Sequence, residues 1–127
     1  MREAVLWILA ALYLGTVLYL VVAPAGFYQN APGVSATGPY NMHFIIDVGL
    51  AFGVSALALA WGVWAKSKPV IVFGAAWIAL HGLFHLVLWL TRGDRLGEAA
   101  LTDLGVVVLP ALVTAALAVK YKEIEHA

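Results

Sequence analysis

Four stretches of the chain run almost without a polar residue, from about Ala4 to Ala23, Met42 to Ala65, Pro69 to Leu90 and Leu101 to Val119. A helix needs roughly 20 apolar residues to cross the hydrocarbon core of a bilayer, and these runs match that length. The pattern predicts four transmembrane helices. Polar residues gather between them, in PAGFYQNAPGVSATGPYN, AKSKP and TRGDRLGEAALTD, and in the tail KYKEIEHA. The first run follows MRE and has the outline of a signal peptide; its length and the lack of a well-placed small-residue cleavage site predict a retained span. With short connections and no internal repeat, the expected fold is all-α: one antiparallel four-helix transmembrane bundle, a single integral membrane domain over residues 1–127.

Composition agrees with this solvent. The 127 residues are 64% hydrophobic and 11% charged, and the mean hydropathy is +0.95, well outside the range of soluble domains. The lipid bilayer is the first partner implied. A formal net charge of zero gives no reason to expect nucleic acid. The absence of cysteine excludes disulfides, thiolate metal sites and thiol nucleophiles, so any metal chemistry must use imidazole and oxygen ligands.

Basic residues set an expected orientation. Arg2, Lys66, Lys68, Lys120 and Lys122 fall on the side of the termini, and only Arg92 and Arg95 on the other. The positive-inside rule then predicts that both termini are cytoplasmic. The connection over 24–41 faces outward in this reading. Its prolines and glycines set turns, and Phe27, Tyr28 and Tyr40 suit the headgroup level, so it is expected to form an ordered cap or a plain aromatic connector.

Candidate chemistry lies in two helical pairs. His43 and Asp47 open the second span, four residues apart and therefore on one face. His81 and His85 repeat that spacing in the third span, within WIALHGLFHLVLW, where Trp77 and Trp89 continue the stripe. A hairpin centred near Ser67 puts Asp47 and His85 within about one helical turn of each other in depth. An intramembrane Asp costs about 2.5–3.5 kcal/mol on insertion scales, so these residues read first as functional. His43, Asp47, His81 and His85 are the expected ligands of one transition metal, Cu, Zn or Fe, in the outer half of the bundle. Asp103, Glu98, Asn41 and Tyr40 are the candidate outer partners that hydrogen-bond those ligands. Asp103 has a competing role as a helix-start carboxylate, and Asn41 as a helix cap.

Two other readings stay open. His43 with His81 or His85 supplies axial ligands for a haem b, in a slot lined by Gly49, Gly53, Ala56, Gly74 and Ala75. The same small residues also let membrane helices pack closely. Alternatively, an Asp47–His85 hydrogen bond fixes helix register without any cofactor, in a non-catalytic accessory subunit that binds other membrane subunits or forms a homo-oligomer. The metal reading points to a small redox or oxygen-handling subunit; no catalytic residue is assigned. A transporter or channel is disfavoured, since the polar cluster stays in the outer half. The run GVSALALAWGVW reads as a close-packed interface, Pro110 as a kink, and Trp7, Trp61, Trp64, Tyr13 and Tyr19 as interfacial or packing aromatics.

The segment GPYNMHFIIDVG, residues 38–49, followed by a small-residue helix and then a helix with paired histidines, resembles short four-helix bacterial membrane proteins of DoxX-like and DUF4345-like layout. The resemblance implies the fold and a bacterial inner membrane. It implies no reaction.

Overall fold

The computed structural model describes residues 1–91, 93 and 96–122. Arg92 and Arg95, named above, and His126 in the tail lie outside the described residues. Four helices are long and apolar enough to cross a membrane: Arg2–Val22, Met42–Trp64, Lys68–Thr91 and Glu98–Val119. These follow the expected runs closely; the largest difference is the start of the last span, at Glu98 rather than Leu101.

Local chemistry sets the ends. Helix α1 (Arg2–Val22) stops at Ala23, whose φ of −134° and ψ of 56° leave the helical region because Pro24 follows. Pro24 then opens α2 (Pro24–Asn30), where its missing N–H costs nothing. A 3₁₀ turn at Val34–Thr37 completes the connection. The expected cap is therefore ordered. The Tyr28 hydroxyl donates to the Gly38 carbonyl at 3.0 Å, and the Tyr28 and Tyr40 rings meet edge-on at 5.4 Å. Gly33, with φ of 82°, comes so close to Ala99 that a Cβ there would lie 2.8 Å from the alanine Cβ. Only glycine fits both that backbone and that gap.

Asn41 caps α3 (Met42–Trp64), its Oδ1 accepting from the Phe44 N–H at 3.1 Å. The far end of α3 closes through paired bonds from Ser67 N–H to Gly62 C=O at 2.9 Å and Lys66 N–H to Val63 C=O at 3.3 Å. This termination needs a left-handed residue, and Lys66 fills it with φ of 56°. The lysine gains an ion pair from that position, Nζ to Glu3 Oε2 at 2.6 Å.

Helix α4 (Lys68–Thr91) is continuous. The last span is composite: α5 (Glu98–Thr102), a π segment (Asp103–Val108) and α6 (Leu109–Val119). In the π segment the Leu109 N–H reaches Leu104 C=O, five residues back. The next residue is Pro110, which has no N–H to continue the ladder and whose ring crowds the carbonyl four residues before it. The widened turn is how this helix accommodates the proline expected to kink it.

The core forms where α1 packs on α3, α3 on α4 and α4 on the last span. Leu6, Ala10, Ala56, Leu59, Val63, Ile71 and Ile78 are almost wholly buried in it. Small residues bring the backbones together, as expected: Gly49 lies on Leu20, Gly74 on Leu59 and Gly82 on Ala111. At one end of the bundle Glu3 also accepts from the Tyr121 hydroxyl at 3.0 Å, and Arg2 donates to the Lys120 carbonyl at 3.1 Å.

Candidate functional site

The two expected pairs meet different fates. His43 and Asp47 do share a face of α3, with Nε2 and Oδ2 3.4 Å apart, but their side chains are 89% and 60% exposed. They look outward from the bundle. His81 and His85 look inward from α4, their ring centroids 4.6 Å apart. Among the described residues no three His, Asp or Glu side chains are grouped to hold a metal ion. The positions considered for a haem slot are occupied by neighbouring helices: Ala56 and Ala75 are buried, and Gly49 and Gly74 lie against Leu20 and Leu59.

His85 takes its carboxylate from the last span. Its Nδ1 lies 3.1 Å from Asp103 Oδ1, with the side chains 21% and 11% exposed. The hydrogen bond between Nδ1 and Oδ1 fixes the imidazole's orientation and leaves Nε2 as its other nitrogen. Asp103 plays one of its expected parts, holding an imidazole; the span begins at Glu98, so the carboxylate lies within the helix at the head of the π segment instead of in its first turn. Asn41 is a helix cap. Glu98 is exposed in the first turn of α5, and Tyr40 is exposed on the cap.

Behind His85, an aromatic stack runs along α4. The His81 ring lies 5.5 Å from Trp77 at an interplanar angle of 27°, and Phe52 of α3 meets His81 edge-on at 5.1 Å. His81 has no hydrogen-bond partner among the described residues. It lines an apolar cavity of about 160 Å³, together with Tyr13, Phe27, Phe52, Ile78 and Val107. Leu12 and Val106 also line the cavity and are exposed on the outside of the bundle, which sets its mouth between α1 and the π segment. Leu20, Phe27 and Val48 separate it from a smaller cavity of about 80 Å³ beneath the cap.

Tyr13, expected only as an interfacial or packing aromatic, does more than pack. It is buried, stacks on Phe52 at 6.0 Å, and its hydroxyl lies 2.7 Å from Thr114 Oγ1. Thr114 Oγ1 donates to the Pro110 carbonyl at 2.7 Å, so the phenol donates to the threonine. Thr114 is the lone hydroxyl between Leu109 and Val119, and that isolation was the signal available in the sequence.

No protein-family model matches the chain, and neither a curated protein nor a solved structure is significantly similar to it.

Proposed function

We propose that this is a multi-pass membrane protein that binds a lipid-soluble molecule by its head, a six-membered ring carrying a hydroxyl or carbonyl, phenol or quinone in chemical class. The observation that carries this reading is His81: a partly buried imidazole with no hydrogen-bond partner among the described residues, on the wall of an otherwise apolar cavity. A polar group in such a place is costly unless something hydrogen-bonds it. The volume, about 160 Å³, is close to the ~150 Å³ apolar cavity that accepts one benzene. Exposed Leu12 and Val106 at the mouth favour entry from the lipid rather than from water. His85 and Asp103 stand behind His81 as a second imidazole and a carboxyl group, able to hold a proton exchanged with the ligand oxygen.

The test compares two probes that partition alike, 4-decylphenol and decylbenzene, titrated into detergent-purified protein while fluorescence of the tryptophans is followed. The phenol is expected to bind about tenfold tighter, the worth of one buried hydrogen bond. His81→Leu is expected to erase that preference while leaving decylbenzene binding intact. Equal binding of the two probes by the unmodified protein refutes the reading.

A metal ion is the second reading, now on the α4 side. The hydrogen bond from His85 Nδ1 to Asp103 is the arrangement that holds a metal-binding imidazole by its other nitrogen. His81 and His85 would ligate, and His43 with Asp47 would belong to a separate site. Elemental analysis of protein purified without a His tag tests this. Near-stoichiometric Cu, Zn or Fe, lost in His81→Ala/His85→Ala and released below the imidazole range of pH, would favour the metal.

The same proposal keeps the four spans antiparallel with both termini cytoplasmic, in a bacterial inner membrane. Contacts of Glu3 with Lys66 and of Leu20 with Gly49 support opposite directions for α1 and α3. The excess of basic residues near the termini supports their side.

A further inference from the structure

Every spanning helix presents a stripe of exposed residues to its surroundings, and two of these stripes can be compared directly. On α4 it reads Pro69, Phe73, Ala76, Leu80, Leu83, Val87 and Leu90, apolar throughout and suited to lipid tails. On α3 it reads His43, Asp47, Leu50, Val54, Leu57, Trp61 and Trp64. The spacing is the same; only the α3 stripe contains ionisable groups.

Depth makes this difference informative. Trp61 and Trp64 are exposed, with rings 5.0 Å apart, and mark one membrane interface. A hydrocarbon thickness of roughly 30 Å, at 1.5 Å per residue, puts the other interface about 20 residues back, near Asn41 to Phe44. Asp47 then lies about 5–9 Å inside the hydrocarbon, facing away from its own bundle. Among the described residues its one polar contact is with His43, which leaves most of a carboxylate's acceptor capacity turned toward lipid.

We propose that the outward face of α3 is the seam of a homodimer, in which His43 of each copy pairs with Asp47 of the other and Leu50, Val54 and Leu57 pack beneath. A second copy is the occupant this patch specifies. Identical chains insert with the same orientation, so their two-fold axis runs along the membrane normal, the two α3 helices run parallel, and side chains one turn apart in depth can reach across the seam. Each copy brings one imidazole donor and one carboxylate acceptor, one turn apart, so the patch satisfies its own image. This inference is independent of what the His81 cavity binds.

The chain contains no cysteine, so single-cysteine variants report without background. Val54→Cys and Leu57→Cys test the seam, with Leu80→Cys and Leu83→Cys on the α4 stripe as controls, under mild oxidation in native membranes. The expected result is a disulfide-linked species at twice the 13.5 kDa protomer mass from the α3 variants, far exceeding the controls. In the Val54→Cys background, Asp47→His, which leaves imidazoles without carboxylates, should lower the yield roughly fivefold or more, the worth of interhelical hydrogen bonds of this kind. The swap His43→Asp/Asp47→His restores both groups and should restore the yield. Equal cross-linking from both stripes, none from α3, or a swap no better than Asp47→His alone overturns the seam.

Discussion

His43 with Asp47 and His81 with His85 are the same sequence feature, two ionisable side chains one helical turn apart in an apolar run, and they end in opposite environments. On α3 the pair is exposed and closes on itself. On α4 the two imidazoles turn inward, stack on an aromatic column and reach a carboxylate from another span. Spacing fixes that two residues share a face; what the face looks at is decided by the rest of the bundle. The small residues of α3 show how. Ser55, Ala56 and Gly62 are buried, so the close-packing face of that helix is taken and the residues opposite it must look out.

The comparison can be broken most forcefully at Gly82, which lies between the two α4 histidines in sequence and directly against Ala111. Gly82→Leu forces α4 away from the last span, and overpacking of this kind costs about 2–3 kcal/mol. Unfolding in SDS mixtures, followed by circular dichroism, is expected to show that loss, and the same variant should lose its preference for 4-decylphenol because the His81 wall moves. Cross-linking through Val54→Cys should be unchanged, since the α3 face is remote from the substitution.

Removing one imidazole is the next step down. His85→Ala takes from the buried Asp103 the ring it is hydrogen-bonded to, at a cost of about 1–3 kcal/mol. Asp103→Asn should cost less, because an amide still bonds the ring. Tyr13→Phe is smaller again, about 1 kcal/mol, since it deletes one buried hydrogen bond to Thr114 and leaves the stack on Phe52 in place. Thermal unfolding in one detergent ranks the three, and a Tyr13→Phe loss as large as that of His85→Ala would contradict the ordering.

Much of the architecture was legible from the sequence because solvent dictates it: an apolar run that matches the bilayer core can satisfy its backbone only as a helix. The Asn41 cap and the break at Pro24 follow from local rules that need no neighbours. The partner of His85 did not. Depth alone matched Asp47 with His85, and depth does not include rotation about the helix axis. The sequence offers Asp103 as a helix-start residue or as an imidazole's partner; it is the partner, because the span begins more than a turn earlier, at Glu98, and the π segment before Pro110 carries the carboxylate onto the face that α4 presents. The cavity was invisible for a related reason: its wall draws on residues from six helical segments, represented by Tyr13, Phe27, Phe52, His81, Val107 and Ala111.

The smallest expected effect separates folding from assembly. His43 is almost fully exposed, and its only partner among the described residues is a neighbour on its own helix. His43→Ala should therefore shift protomer stability in detergent by no more than about 0.5 kcal/mol, the usual range for a surface substitution. Circular dichroism and 4-decylphenol binding should both match the unmodified protein. In native membranes the same substitution removes the imidazole from each side of the proposed seam, and cross-linking through Val54→Cys should fall. A variant that folds and binds normally but associates poorly would assign the outward pair to contact between copies and the inward pair to chemistry within one. A large stability loss in detergent would instead show that the α3 pair holds its own helix in place, and the contrast between the two faces would then be one of exposure alone.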